Sequence, residues 1–248
     1  MPRYKIIVEY DGRPFKGFQM QEAWQGFTVQ GELTRSIFEI TGEAVVVYVS
    51  GRTDAGVHAI GQVTHIDLSK EWKTTTLRDA MNAKLRPHPI SIISAEEVDE
   101  SFHCRFSCIK RYYTYKIINR RAPPTFDRGL VWGVARPLDL DLMREGARHL
   151  IGHHDFTTFR ASACQGKTPF KTLDSFTLTK KDDLIEINTH SRSFLHHQVR
   201  SMVGSLVHVG LGDRDPIWIK TILQAKNRKL CGQVAPPDGL YFVKADYL

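Results

Sequence analysis

No apolar stretch in this chain approaches the roughly 20 residues that a membrane helix requires. No HExxH or CxxC spacing is present, so the commonest zinc frameworks are missing. Cysteine is scarce: Cys104, Cys108, Cys164 and Cys231 fit neither a disulfide framework nor paired metal ligands. Free and mostly buried thiols in a reducing compartment are the expectation. Met1-Pro2-Arg3-Tyr4-Lys5 runs straight into a strand-like pattern and leaves no room for a signal or transit peptide, which points to the cytoplasm. No Gly/Ser-rich or Pro-rich linker divides the 248 residues, enough chain for one large domain or two small ones. Two segments lack acid altogether. Between Cys104 and Arg121 stand Arg105, Lys110, Arg111, Lys116, Arg120 and Arg121, and between Ile217 and Leu230 stand Lys220, Lys226, Arg228 and Lys229.

What is present is the composition of a folded protein, 42% hydrophobic and 25% charged, with a net charge of +7. A basic excess attracts polyanions. The first acid-free segment also carries three tyrosines, which favours a polyphosphate track there over a merely solvated face.

The periodicities place strands at about residues 3–10, 44–50, 62–68 and 90–98. Between them, Thr28 caps a helix carrying Val29, Leu33, Ile37 and Ile40 and closed by Gly42. Thr74–Thr76 cap a second helix with Leu77, Ala80, Met81 and Leu85. A similar order follows. Strands are expected at 111–118, 170–179, 184–191 and 240–247, with helices opened by Leu138-Asp139, by Ser193 and by Asp215-Pro216. Each half reads β-α-β-β-α-β. The expected class is α+β: two ferredoxin-like subdomains with antiparallel sheets, residues 1–104 and 105–248, joined around a central cleft, their seam near Ser101–Ile109.

Chemistry concentrates in Ser50-Gly51-Arg52-Thr53-Asp54-Ala55-Gly56-Val57-His58-Ala59, a polar turn between two strands. Its glycines permit close approach of another backbone or a ligand. The plainest reading is a turn closed by a local Arg52–Asp54 pair. A carboxylate beside a fixed guanidinium stays ionised, which suits a nucleophile or an electrostatic stabiliser better than a general acid.

Gly51-Arg52-Thr53-Asp54-Ala55-Gly56-Val57-His58 resembles the active-site signature of the TruA-type tRNA pseudouridine synthases. Further stretches agree in order: Glu9–Gly12, Gly17–Gln21, Val29–Leu33, Phe102–Ser107, Asp155–Arg160 and His196–Gly204. The resemblance covers essentially the whole chain. Phe18 stands where tryptophan is frequent, and Cys104 and Cys108 where small residues are usual. The resemblance implies isomerisation of uridine to pseudouridine at positions 38–40 of the tRNA anticodon stem-loop, by a cytoplasmic homodimer that needs no membrane, metal or cofactor. It also implies roles. Asp54 falls on the catalytic aspartate, Arg52 on the arginine that helps extrude the target nucleotide, Tyr113 on the tyrosine that stacks on the uracil, and Arg200 on the arginine that pairs with the catalytic aspartate. The choice of Tyr113 rests on a Tyr-x-Tyr register. A slip by one residue names Tyr112, and in a strand the two point to opposite faces. Attack by Asp54 at C1′, attack at C6, and assistance of a glycal route all fit the sequence.

Two other classes are weighed against this one. Ferredoxin-like sheets with aromatic strands are a common RNA platform, so a binding protein without catalysis is the second reading. A metal-dependent hydrolase would draw on His153-His154-Asp155 or His196-His197. Adjacent histidines on a helix point about 100° apart and rarely share an ion. His58 and His65 read as structural or substrate-contacting groups.

Overall fold

The structure, a computed structural model, describes residues 1–21 and 26–248; residues 22–25, in the stretch between the first expected strand and the Thr28 cap, lie outside the described residues. The fold is mixed α+β and mostly antiparallel. Residues 1–111 with 241–248 make one compact unit and residues 112–240 a second.

The chain opens with β1 (Arg3–Tyr10), α1 (Val29–Thr41), β2 (Tyr48–Val49), β3 (His58–Asp67), α2 (Thr74–Leu85) and β4 (Ile90–Val98). The next strand, β5 (Cys108–Asn119), passes from the first unit into the second. There follow β6 (Trp132–Val134), α3 (Leu140–Arg148), β7 (Gly152–Asp155), β8 (Phe170–Lys181), β9 (Leu184–Ser191), α4 (Gln198–Gly210), α5 (Ile217–Ala225) and β10 (Leu240–Tyr247). No helix among the described residues is long and apolar enough to cross a membrane.

In the first unit β1 lies between β4 and β3, antiparallel to both, and β10 runs parallel to β3 through Tyr241↔His58 and Phe242↔Ala59. Alternation sets the faces. Tyr4, Ile6, Val8 and Tyr10 are all buried. α1 covers the core with Val29, Leu33 and Ile37, and α2 with Leu77, Met81 and Leu85. The Thr28 hydroxyl accepts the Gly31 N–H, and Gly42 ends the helix in the left-handed region. In the second unit β9 lies between β5 and β8, and β7 flanks β8. α3 packs on α4, whose length is almost wholly buried.

The departures from the predicted elements have physical causes. The expected strand over 44–50 shrinks to Tyr48–Val49, the two residues that enter a ladder register with β3, opposite His65 and Thr64; beyond them the Ser50 N–H makes a single further bond to the Val63 carbonyl. Val46, 60% exposed, has β-propensity but no ladder to join. β3 begins at His58, four residues earlier than the alternation suggests, because Ala59 pairs with Tyr10 and both His58 and Ala59 pair with β10. Thr74 lies inside α2, and the residue before it, Lys73, gives no side-chain cap bond. α4 begins at Gln198 instead of Ser193, because His197 has φ 63°, which no right-handed helix accommodates. β6 and β7, of three and four residues, are too short for a periodic signal.

The contrast between the two helix starts is testable. Thr28→Ala should lower stability by about 1 kcal/mol, read as a shift of the urea midpoint, and Thr28→Ser should restore most of it. Lys73→Ala should be close to neutral. Equal shifts for Thr28→Ala and Lys73→Ala would refute the assignment of the cap.

Candidate active site

The turn that carries Asp54 is held from beneath by a buried polar web. Gln62, on β3, is fully buried. Its Nε2 donates to the Gly51 carbonyl at 2.8 Å and, at 3.4 Å, to the Tyr10 hydroxyl. Its Oε1 accepts from the Ser50 hydroxyl at 2.7 Å. Tyr10 and Thr53 share a hydrogen bond of 2.7 Å between their hydroxyls. Burial pushes the Tyr10 phenol up to about 12, so at neutral pH it is a neutral hydrogen-bonding group. The backbone on both sides of Asp54 is thereby tied to the core by side chains from β1 and β3.

Arg111 adds a third tie. It is 8% exposed, and both its Nε and Nη2 donate to the Ser50 carbonyl, at 2.9 and 2.6 Å. Nη2 also reaches the Arg105 carbonyl at 2.9 Å. This corrects one expectation from the sequence. Arg111 belongs to the acid-free segment, but its guanidinium is turned inward onto backbone carbonyls and does not belong to a solvent-facing phosphate track.

The N-terminal loop wraps the turn from the other direction. The Phe18 N–H donates to the Thr53 carbonyl at 3.0 Å. Gly17 has φ +99°, and a Cβ there would sit 2.9 Å from the Thr53 oxygen. A Cβ on Gly12 would fall 2.1 Å from the Val57 carbonyl oxygen, so only glycine permits this approach. The Gly12 N–H donates to His58 Nδ1 at 3.1 Å, and the His58 ring stacks on Tyr241 with centroids 4.7 Å apart. Buried in this way, His58 anchors the far end of the turn.

Asp54 itself is half-buried and its carbonyl accepts the Val57 N–H, closing the turn at 3.1 Å. Arg52 is exposed and has no ion pair or side-chain hydrogen bond among the described residues. The local Arg52–Asp54 pair of the plainest reading does not form.

The other two residues lie in the second unit. Tyr113 is 8% exposed on β5 and meets Phe194 edge-on, with centroids 5.1 Å apart. Tyr112, on the opposite face, packs near His190 at 5.0 Å. Arg200 is half-buried on α4, and its Nε donates to the Ala235 carbonyl at 2.8 Å.

His65, His103 and Cys104 bring three possible metal-ligand atoms within 4.8 Å of one another. Their hydrogen bonds give the cluster a different task. His65 Nδ1 accepts the Cys104 N–H at 3.3 Å, and His103 Nδ1 accepts the Arg105 and Phe106 N–H groups at 3.2 and 3.4 Å. Both Nδ1 lone pairs are therefore committed, and each Nε2 carries the proton. Tyr48 stacks on His65 with ring centroids 4.6 Å apart. Burial pushes the Cys104 thiol up to about 12 and keeps it neutral. Neither adjacent histidine pair lies on a helix: His153 and His154 are on β7, where Nδ1 of His153 bonds the Thr172 hydroxyl, and His196 and His197 precede α4.

Comparison with known proteins decides the family of this chain. The tRNA pseudouridine synthase family profile matches residues 6–107 and 147–248. The chain belongs to the tRNA pseudouridine synthase family. It is similar to the tRNA pseudouridine synthase A of Afipia carboxidovorans, 53% identical over 247 residues that cover all of both chains. It is also similar to those of Methylocella silvestris, 51% identical over all of this chain and 99% of the other, and Parvibaculum lavamentivorans, 51% identical over all of both. It is an isomerase acting on tRNA uridine.

The matched region takes in the whole Asp54 turn and its supports Tyr10, Gln62 and the glycine loop. The sequence singles out the turn, and Arg111 only as one of six cations, but it assigns none of Tyr10, Gln62 and Arg111 to the support of the turn. The available signal was Gln62, a polar amide at a fully buried position of β3.

His65 gives this region a measurable pH response. Burial holds its pKa down, from the ordinary 6.5 to about 4, and the nearby His103 and Arg3 act in the same direction. Between these values the unfolded chain binds a proton that the folded protein refuses, so stability is complete above about pH 6.5 and is lost as pH falls toward 4. Urea midpoints measured from pH 7 to pH 4 should show this loss, and His65→Asn should flatten it. An unchanged slope in the variant would assign the acid sensitivity to other groups.

Proposed function

We propose that this protein converts uridine to pseudouridine at positions 38–40 of the tRNA anticodon stem-loop, with Asp54 as the catalytic group. The observation that carries the reading is a half-buried carboxylate on a turn immobilised from three sides, in a member of this family. The reaction breaks the N1–C1′ glycosidic bond, turns the base and joins C5 to C1′, while the C5 proton leaves and N1 gains one. Nothing is oxidised, reduced or transferred to a second molecule, so the chemistry calls for no cofactor or metal.

The target base must first leave its stack, at a cost of a few kcal/mol. Arg52, Tyr113 and Arg200 are proposed to bind the substrate. Arg52 projects from the turn with its guanidinium uncommitted and can enter the space the base vacates. Tyr113 offers an aromatic face for the uracil. Arg200, on α4, is carried over from the family resemblance as the third of these residues. A rigid backbone around Asp54 supports catalysis because a misplacement of about 1 Å can cost roughly a hundredfold in rate. The two units are proposed to be ferredoxin-like, in keeping with the β-α-β-β-α-β order from β1 to β4. The protein is proposed to act as a cytoplasmic homodimer.

Tritium release from C5-labelled tRNA tests the reading. Wild-type protein should release tritium, and Asp54→Ala should lose roughly two or more orders of magnitude in rate while still binding tRNA. Equal release by both would remove Asp54 from catalysis. No release by the wild type, with tRNA binding intact, would favour a binding protein.

A further inference from the structure

The second unit contains a basic hollow lined by none of the residues assigned above. Its volume is about 640 Å³, and its lining includes Asn119, Arg120, Arg121, Arg136, Pro137 and Lys180. Four cations line it and no carboxylate does. They come from three places in the chain: the end of β5, the segment after β6, and β8. The sequence had shown only the first, as the end of its acid-free segment.

The frame of the hollow is rigid. The Asn119 amide donates to the Val134 and Arg136 carbonyls at 3.0 and 2.8 Å, and its oxygen accepts the Leu138 N–H at 3.0 Å. The Asn119 N–H is bound to the Asp183 carbonyl at 2.8 Å. The four cations are exposed and differ in their commitments. Arg120 pairs with Asp183 at 3.3 Å and Arg136 with Asp213 at 3.2 Å. Both are surface pairs, worth about 0–1 kcal/mol, and yield readily to a phosphate. Arg121 and Lys180 have no ion pair or side-chain hydrogen bond among the described residues. Even with both aspartates counted, four cations less two anions leave +2.

We propose that this hollow binds the sugar-phosphate backbone of tRNA. The proposal rests on the reading that tRNA is the substrate. The kind of donor available separates a polyphosphate from a small free anion. Small-anion sites converge buried N–H groups on one point. Here the buried amide, Asn119, is spent on the frame, and what remains are long exposed cations spread around a rim. Guanidinium groups match phosphate oxygens in pairs, and charges on flexible stems suit successive phosphates.

Salt dependence of tRNA binding is the decisive measurement. Each phosphate contact contributes about 0.9 to the slope of log affinity against log salt. Arg121→Gln/Lys180→Gln should reduce the slope by about 2 and weaken binding near physiological salt by roughly tenfold. Both side chains are exposed, and a far-UV circular dichroism spectrum matching the wild type would show that the fold is retained. Lys70→Gln/Arg78→Gln, which removes the same charge from the first unit, should change the slope by less than one. Indistinguishable slopes for the two double variants would overturn the proposal. So would loss of inorganic phosphate binding in Arg121→Gln/Lys180→Gln with the tRNA slope intact, because the hollow would then be a small-anion site. Pseudouridine formation by the wild type, read on the same tRNA, keeps the two readings apart. If it is absent the functional reading fails, whatever the slopes; if it is present with unchanged slopes, only the hollow fails.

Discussion

A primary amide buried in a protein has two donors and an acceptor to satisfy, and each one left open costs about 1–3 kcal/mol. Gln62 meets this demand with the Gly51 carbonyl, the Tyr10 hydroxyl and the Ser50 hydroxyl. Two of these partners stand at the entrance to the Asp54 turn. The third, Tyr10, reaches Thr53, immediately before the carboxylate. The penalty for an unsatisfied amide therefore works as a constraint on the geometry of the turn. Arg111 reinforces it with two bonds to the Ser50 carbonyl. The glycines at 12 and 17 let the N-terminal loop close over the other side. Rigid strands supply the fixed points, and the turn inherits their order.

The parts of the fold that could be read from the sequence were those governed by local chemistry. The alternation of β1, the Thr28 cap, the Gly42 stop and the Asp139 cap are each written within a few residues. What could not be read locally was set by partners far along the chain. Val46 and its neighbours have strand-forming side chains, but the ladder available to them accepts two residues. His58 and Ala59 look like loop and become strand because residues 241 and 242, about 180 positions later, pair with them. The residues after Ser193 carry a helical pattern that the left-handed backbone of His197 interrupts.

The same division applies to the candidate site. The turn itself is legible because its chemistry is contiguous. Its supports are not, because Tyr10, Gln62 and Arg111 meet only after the strands have assembled. Arg111 shows how charge counting misleads: in sequence it is one of six cations without a neighbouring acid, while in the fold it is a buried donor to carbonyls. Arg120 and Arg121, from the same run, remain at the surface and gain Arg136 and Lys180 as neighbours. One stretch of sequence thus serves both to hold the turn and to present charge.

The central claim, which rests on the proposed catalytic role of Asp54, is that buried polar contacts position its carboxylate for chemistry and not for affinity. Gln62→Met keeps the volume and the unbranched shape of the side chain but removes every hydrogen bond of the amide. Its turnover at saturating tRNA, measured beside its tRNA dissociation constant, tests the claim directly. The account predicts a fall in kcat of roughly tenfold or more with affinity within about twofold of wild type. Wild-type kcat in this variant, or a loss that appears only in affinity, would contradict it.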